Sequence, residues 1–168
     1  FLSAEYRDQS HAFVQRWHDT VSAIDGSQLT GQDRLSYEIF LRDLRMQLEG
    51  ERFPSWQQPI NQFWSFPNFL VQLGSGASAQ PFKTVEDYEN WLKRGSATVV
   101  IFDTAIANMR DGMKNGVVQP TVLMQKVLPQ LDAVIVDDPE KSLFWGPLSK
   151  LPAEFSDEDK QRLTAAYK

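Results

Sequence analysis

The chain has 168 residues, 42% of them hydrophobic, with 17 basic and 22 acidic side chains, two histidines and no cysteine. This fits one soluble globular domain over residues 1–168 with a real core, and it excludes disulfides and cysteine-ligated metal sites. The net charge of −5 comes without a stripe of Lys and Arg, which argues against nucleic acid as a partner.

Phe13, Val14, Trp17, Val21 and Ile24 recur at helical spacing and predict a first helix, ended by the Asp25-Gly26 turn. Thr30 with Asp33 reads as a capping box opening a second helix, which turns Tyr37, Leu41, Leu44 and Leu48 inward and stops at Gly50. Residues 51–83 hold Pro54, Pro59, Pro67 and Pro81 among seven Phe and Trp rings. Prolines at that spacing forbid a long helix, so an irregular connection is expected, with one short helix between Pro59 and Leu73. Gly74-Ser75-Gly76-Ala77-Ser78-Ala79 reads as its mobile part.

A second capping box, Thr84 with Asp87, opens the clearest helix, with Tyr88, Leu92, Val99, Phe102, Ile106, Met109 and Met113 as its apolar stripe. Gly116 suits the left-handed stop at its end, and Gly95 offers a bend or a close crossing. Pro120 suits the first turn of the next helix, whose inward face is Leu123, Val127, Leu131 and Val134 and which Pro129 should kink. A Pro-rich connection follows, and Ser156 with Asp159 reads as a third capping box that opens the last helix. No segment alternates with period two, so the expected class is all-α: an antiparallel array of five to six helices with a long aromatic- and Pro-rich connection.

Catalytic signatures are missing. His11 and His18 lie two turns apart, about 10 Å along a helix, and neither begins a His-Glu-x-x-His pair. There is no Gly-x-Ser-x-Gly elbow, phosphate loop or dinucleotide glycine pattern. The acidic cluster Glu86, Asp87 and Glu89 suits a helix start. The aromatic loop 53–69, with Asn61 and Gln62 beside Phe63, Trp64 and Phe66, offers amide donors and acceptors next to apolar rings, as a peptide or glycan site would. It equally suits rings that fasten a long loop to the helices while its amides satisfy free backbone groups.

Taken as a series, five landmarks are more specific. They are Leu35-Ser36-Tyr37-Glu38-Ile39-Phe40, Pro59-Ile60-Asn61-Gln62, the stretch from Phe82 to Arg94, the stretch from Met109 to Pro120, and Ser142-Leu143-Phe144-Trp145-Gly146-Pro147 with Leu151-Pro152. Their order and spacing resemble the amino-terminal part of the bacterial DUF885 family over roughly Leu29 to Tyr167. The chain departs from the family pattern at Gly95, at Phe63-Trp64-Ser65 and at Pro129.

Full-length members resemble exported helical zinc metallopeptidases, periplasmic or lipid-anchored. That resemblance implies a downstream His-Glu-x-x-His zinc helix, with no catalytic residue, metal ligand or cofactor carried by this chain. It also implies that these helices are the non-catalytic N-terminal segment of a longer protein and one wall of a substrate channel. Asn61, Gln62, Arg94 and Arg110 are then the channel candidates, with Arg94 also suited to an internal ion pair, while Gly116 and Pro120 are structural. The expected partners are the C-terminal part of the same chain, a peptide substrate and a second copy, since apolar surface left uncovered would drive a concentration-dependent homodimer. The alternative is a self-contained helical binding module that uses the loop 53–69.

Overall fold

The structure, a computed structural model, describes residues 2–63 and 65–168. Six α-helices and no strand are found among the described residues: α1 (Ala4–Ser22), α2 (Gly31–Gly50), α3 (Phe66–Gly74), α4 (Val85–Asn115), α5 (Thr121–Asp132) and α6 (Asp157–Ala166). The chain is all-α. It divides into two compact units, Phe1–Trp56 and Gln57–Lys168, and the division falls inside the Pro-rich segment 51–83.

The first unit is a helical hairpin. Ser3 opens α1 by accepting the Tyr6 N–H at 3.2 Å. In the first half of α1, the Arg7 guanidinium lies 4.1 Å from the Trp56 ring centroid and His11 pairs with Glu51, both beyond the end of α2. Gly26, between the helices, lies against the Tyr37 ring in α2. The two helices therefore run in opposite directions. Their seam buries Val14, Val21 and Leu44, flanked by Tyr37, Leu41 and Leu48.

Phe13, Trp17 and Ile24, expected inside, are exposed. One neighbouring helix covers only a narrow stripe of α1, so the rest of the wide apolar face stays outside it. There Phe13 and Trp17 meet edge to face at 6.3 Å with the Arg16 guanidinium beside both. The Thr30–Asp33 capping box does not form, because the Thr30 side chain caps nothing and Gly31 turns the chain at φ +56°.

In the second unit the Thr84–Asp87 box is complete. The Asp87 N–H donates to Thr84 Oγ1 at 3.2 Å, and the Thr84 and Lys83 N–H groups both donate to Asp87 Oδ2 at 2.9 Å. Ser156 receives the Asp159 N–H, but its hydroxyl, not its backbone N–H, donates to the Asp159 carboxylate. That is half of the expected box. Tyr88, Leu148, Phe155 and Leu163 form the core, surrounded by Phe82, Val85, Trp145, Leu151 and Tyr167. Leu163 is fully buried, which stabilises the fold by about 1.5–3 kcal/mol.

The inward stripe of α4 runs Tyr88, Trp91, Gly95, Thr98, Phe102, Ala105, Met109 and Gly112, in alternating steps of three and four, with Tyr88, Trp91, Ala105 and Gly112 buried and the others half-buried. Val99, Ile106 and Met113, expected in that stripe, are exposed. At those three positions the inward neighbour is the smaller residue, Thr98, Ala105 or Gly112, which leaves the bulkier one outside. Gly95 makes no close crossing, since a Cβ there would meet nothing within 4 Å. Gly74 and Ser75, assigned to the mobile loop, are packed: Gly74 lies beneath Phe144 and Trp91, and the Ser75 carbonyl stands against Gly146. Pro129 sits near the end of α5, where its missing N–H removes one helical bond shortly before the helix stops at Asp132.

Candidate functional site

The segment after Gln57 satisfies its own backbone. Ile60 and Ser65, both buried, form an isolated antiparallel bridge that brackets the loop. Asn61 Oδ1 accepts the Phe63 N–H at 2.8 Å, a local Asx turn that leaves the Phe63 ring 82% exposed. The Gln62 carbonyl accepts from Gln130 Nε2 at 3.3 Å, and Gln130 Oε1 accepts from Asn68 Nδ2 at 3.2 Å, so one α5 amide ties the loop to the start of α3. Gln62 Oε1 is buried without a hydrogen-bond partner among the described residues. Trp64 lies outside the described residues.

The two arginines are placed far from each other. Arg94 Nη1 donates to Gln80 Oε1 at 2.6 Å, and Gln80 Nε2 donates to the Pro81 carbonyl at 3.0 Å. Arg94 therefore binds a neutral amide in place of the expected internal ion pair. It anchors the stretch that delivers Phe82 to Tyr88 and Trp91, at ring distances of 5.1 and 6.1 Å. Arg110 is exposed, one α4 turn from both Ile106 and Met113 on the outward apolar face. Sixteen residues of helix separate the arginines by about 24 Å, so the channel candidates do not converge on one point. Gly116 adopts φ 74° and ψ 15° and ends α4 as a left-handed cap. Pro120 stands just before the first turn of α5, its carbonyl accepting the Leu123 and Met124 N–H groups.

Beside that cap the chain forms a cavity of about 180 Å³ lined by Gln57, Gln58, Ile60, Met109, Met113, Val117, Val118, Gln119 and Met124. Gly112 packs tightly beside it: a Cβ there would stand 2.5 Å from the Val117 carbonyl oxygen and 3.0 Å from that of Gln57. Gln57 is only 4% exposed, and its Oε1 has no hydrogen-bond partner among the described residues. Gln119 Nε2 donates to Gln58 Oε1 at 3.4 Å. Among the described residues no charged side chain lines the space. The sequence reading passed over this site, although three of the four methionines fall between positions 109 and 124. A second cavity of about 320 Å³, apolar throughout apart from Thr98, lies among Leu70, Trp91, Gly95, Phe102, Val134 and Phe144.

Two phenols stand out electrostatically. Burial, then the nearby Asp87 charge, pushes the Tyr88 hydroxyl above its usual value, and it donates to the Pro147 carbonyl at 3.1 Å. Burial, then Tyr88, pushes Tyr167 up as well, but its hydroxyl has no partner among the described residues. Among the described residues no three His, Asp or Glu side chains group to hold a metal ion, and no helix is long and apolar enough to cross a membrane.

Among known families, the one described as "Bacterial protein of unknown function (DUF885)" matches residues 1–168. No curated protein and no solved structure matches the chain.

Proposed function

The chain belongs to the DUF885 family, and from that premise we propose that it is a non-catalytic helical scaffold forming one wall of the substrate channel in an exported, zinc-dependent peptidase-like protein. In this reading the protein works outside the cytoplasmic membrane, periplasmic or lipid-anchored, with zinc held by residues of the C-terminal part of the same protein. The observation that supports the reading is the outward face of α4. Val99, Ile106 and Met113 stand exposed one above another with Val100 beside them, and Arg110 lies within the stripe. A helix with apolar residues on both its inner and outer faces suits a wall covered from two sides.

The purified chain is expected to bind no stoichiometric zinc and to cleave no peptide. It should self-associate with rising concentration through the uncovered face, and Val99→Glu with Ile106→Glu should keep it monomeric while its helical circular dichroism is retained. Stoichiometric, high-affinity zinc in the purified chain overturns the reading. So does sedimentation that stays monomeric across a concentration series.

A second reading, a peptide- or glycan-binding module, draws support from Phe63, whose ring stands almost wholly in solvent on its bracketed loop. Saturable binding of a peptide or glycan lost on Phe63→Ala or Trp64→Ala would favour it, and a flat titration counts against it.

A further inference from the structure

We propose that the cavity at the C-terminal end of α4 binds a single neutral aromatic ring carrying one hydrogen-bond donor, a phenol or an indole. Three features of the cavity select that chemistry. Its volume, about 180 Å³, is close to the roughly 150 Å³ of an apolar protein cavity that takes up benzene, so it admits one ring. Its walls hold the thioethers of Met109, Met113 and Met124, and polarisable sulfur favours contact with an aromatic edge while adapting to the shape of the guest. Its wall residue Gln57 carries a buried acceptor, Oε1, that has no hydrogen-bond partner among the described residues and so discriminates in favour of a ring bearing O–H or N–H.

The same features exclude other guests. Among the described residues no cation lines the cavity to receive a carboxylate or phosphate, and no carboxylate lines it to receive an ammonium group. The Gln58 and Gln119 amides bond to each other and leave Gln57 as the polar anchor. Gly112 lets Gln57 approach α4 closely, because its bare backbone leaves room for the Gln57 carbonyl and Cβ. Met113 belongs both to this site and to the outward stripe of α4, while the other lining residues take no part in the scaffold reading, and the test reads ligand binding rather than self-association.

The test uses the 168-residue chain with ¹³C-methyl methionine, whose four signals include Met46 in the hairpin unit as an internal control. Phenol, indole and toluene are titrated separately, followed by N-acetyl-tyrosinamide. Phenol and indole should shift the signals of Met109, Met113 and Met124, leave Met46 in place, and bind about tenfold more tightly than toluene. Gln57→Leu should reduce phenol to the affinity of toluene, and retained toluene binding reports that the variant is folded. Phenol-like binding of N-acetyl-tyrosinamide assigns the ring to a peptide side chain, whereas its exclusion assigns it to a free small molecule; both support the site. Equal affinity of the wild-type chain for phenol and toluene, or methionine signals unmoved by either, overturns the proposal.

Discussion

Gln57 and Gly112 meet backbone to backbone, with no space between them for a methyl group: a Cβ on Gly112 would stand 3.0 Å from the Gln57 carbonyl oxygen and 2.5 Å from that of Val117. Neither obstacle is a flexible side-chain tip, so relief requires the backbone of the connection to move. Gly112→Ala is therefore expected to destabilise the chain by about 1–3 kcal/mol, despite the higher helix propensity of alanine. The midpoint of urea unfolding checks this, and an unchanged midpoint would show that the contact is looser than the geometry states.

Tyr88 and Tyr167 share one core, with ring centroids 6.3 Å apart, yet their hydroxyls fare differently. Removing the Tyr88 hydroxyl leaves the Pro147 carbonyl without its donor, so Tyr88→Phe should cost about 1 kcal/mol. The Tyr167 hydroxyl is buried without a partner, so Tyr167→Phe should stabilise by about 1 kcal/mol. Opposite signs in parallel denaturant titrations are the expected outcome, and a loss of stability in both variants would refute it.

Stability should fall at both ends of the pH scale. Tyr88 and Tyr167 have raised native values, so their contribution is whole below the ordinary tyrosine value of 10.0 and is lost as pH rises beyond it. Asp87 is lowered by the Lys83 and Thr84 backbone N–H groups, so its contribution is whole above 3.8 and is lost as pH falls from there towards its lower native value. Tyr167→Phe should flatten the alkaline limb and leave the acid limb alone, while Asp87→Asn should do the reverse. Thermal melts across pH distinguish the two, and an alkaline limb unchanged in Tyr167→Phe removes Tyr167 as its cause.

Local signals survived translation from sequence to structure better than tertiary ones. The Thr84–Asp87 box and the Gly116 stop were legible because each depends on a few adjacent residues with their own backbone chemistry. The inward face of α4 was legible at Tyr88, Phe102 and Met109 and was misplaced by one residue at three positions: Val99 for Thr98, Ile106 for Ala105, and Met113 for Gly112. Apolar periodicity weighs side-chain bulk, whereas close packing places small residues at the nearest approach. Asn61 was legible as a turn former, since its acceptor serves the Phe63 N–H two residues on. The methionine cavity was not legible, because it joins Gln57 to residues more than fifty positions away that share no motif with it.

Arg94 and Gln80 should behave as one unit. Arg94→Ala and Gln80→Ala each break the same 2.6 Å bond, so the double variant should be more stable than the two single losses predict, by about 1 kcal/mol. A double-mutant cycle measures that coupling. Strict additivity would mean that Arg94 does not hold Gln80 in solution.

The division of the chain at Trp56 also bears on folding kinetics. The hairpin pairs helices that follow one another directly, so most of its seam closes over short stretches of chain. The second unit must bring Tyr88 to Pro147, Gln62 to Gln130 and Gln58 to Gln119, closing loops of 59, 68 and 61 residues before those contacts can stabilise anything. The α1–α2 pairing should therefore form early, and the meeting of α4 with the chain's last thirty residues should limit the rate. Stopped-flow refolding should then show Trp17 and Trp56 reaching their native fluorescence before Trp91 and Trp145.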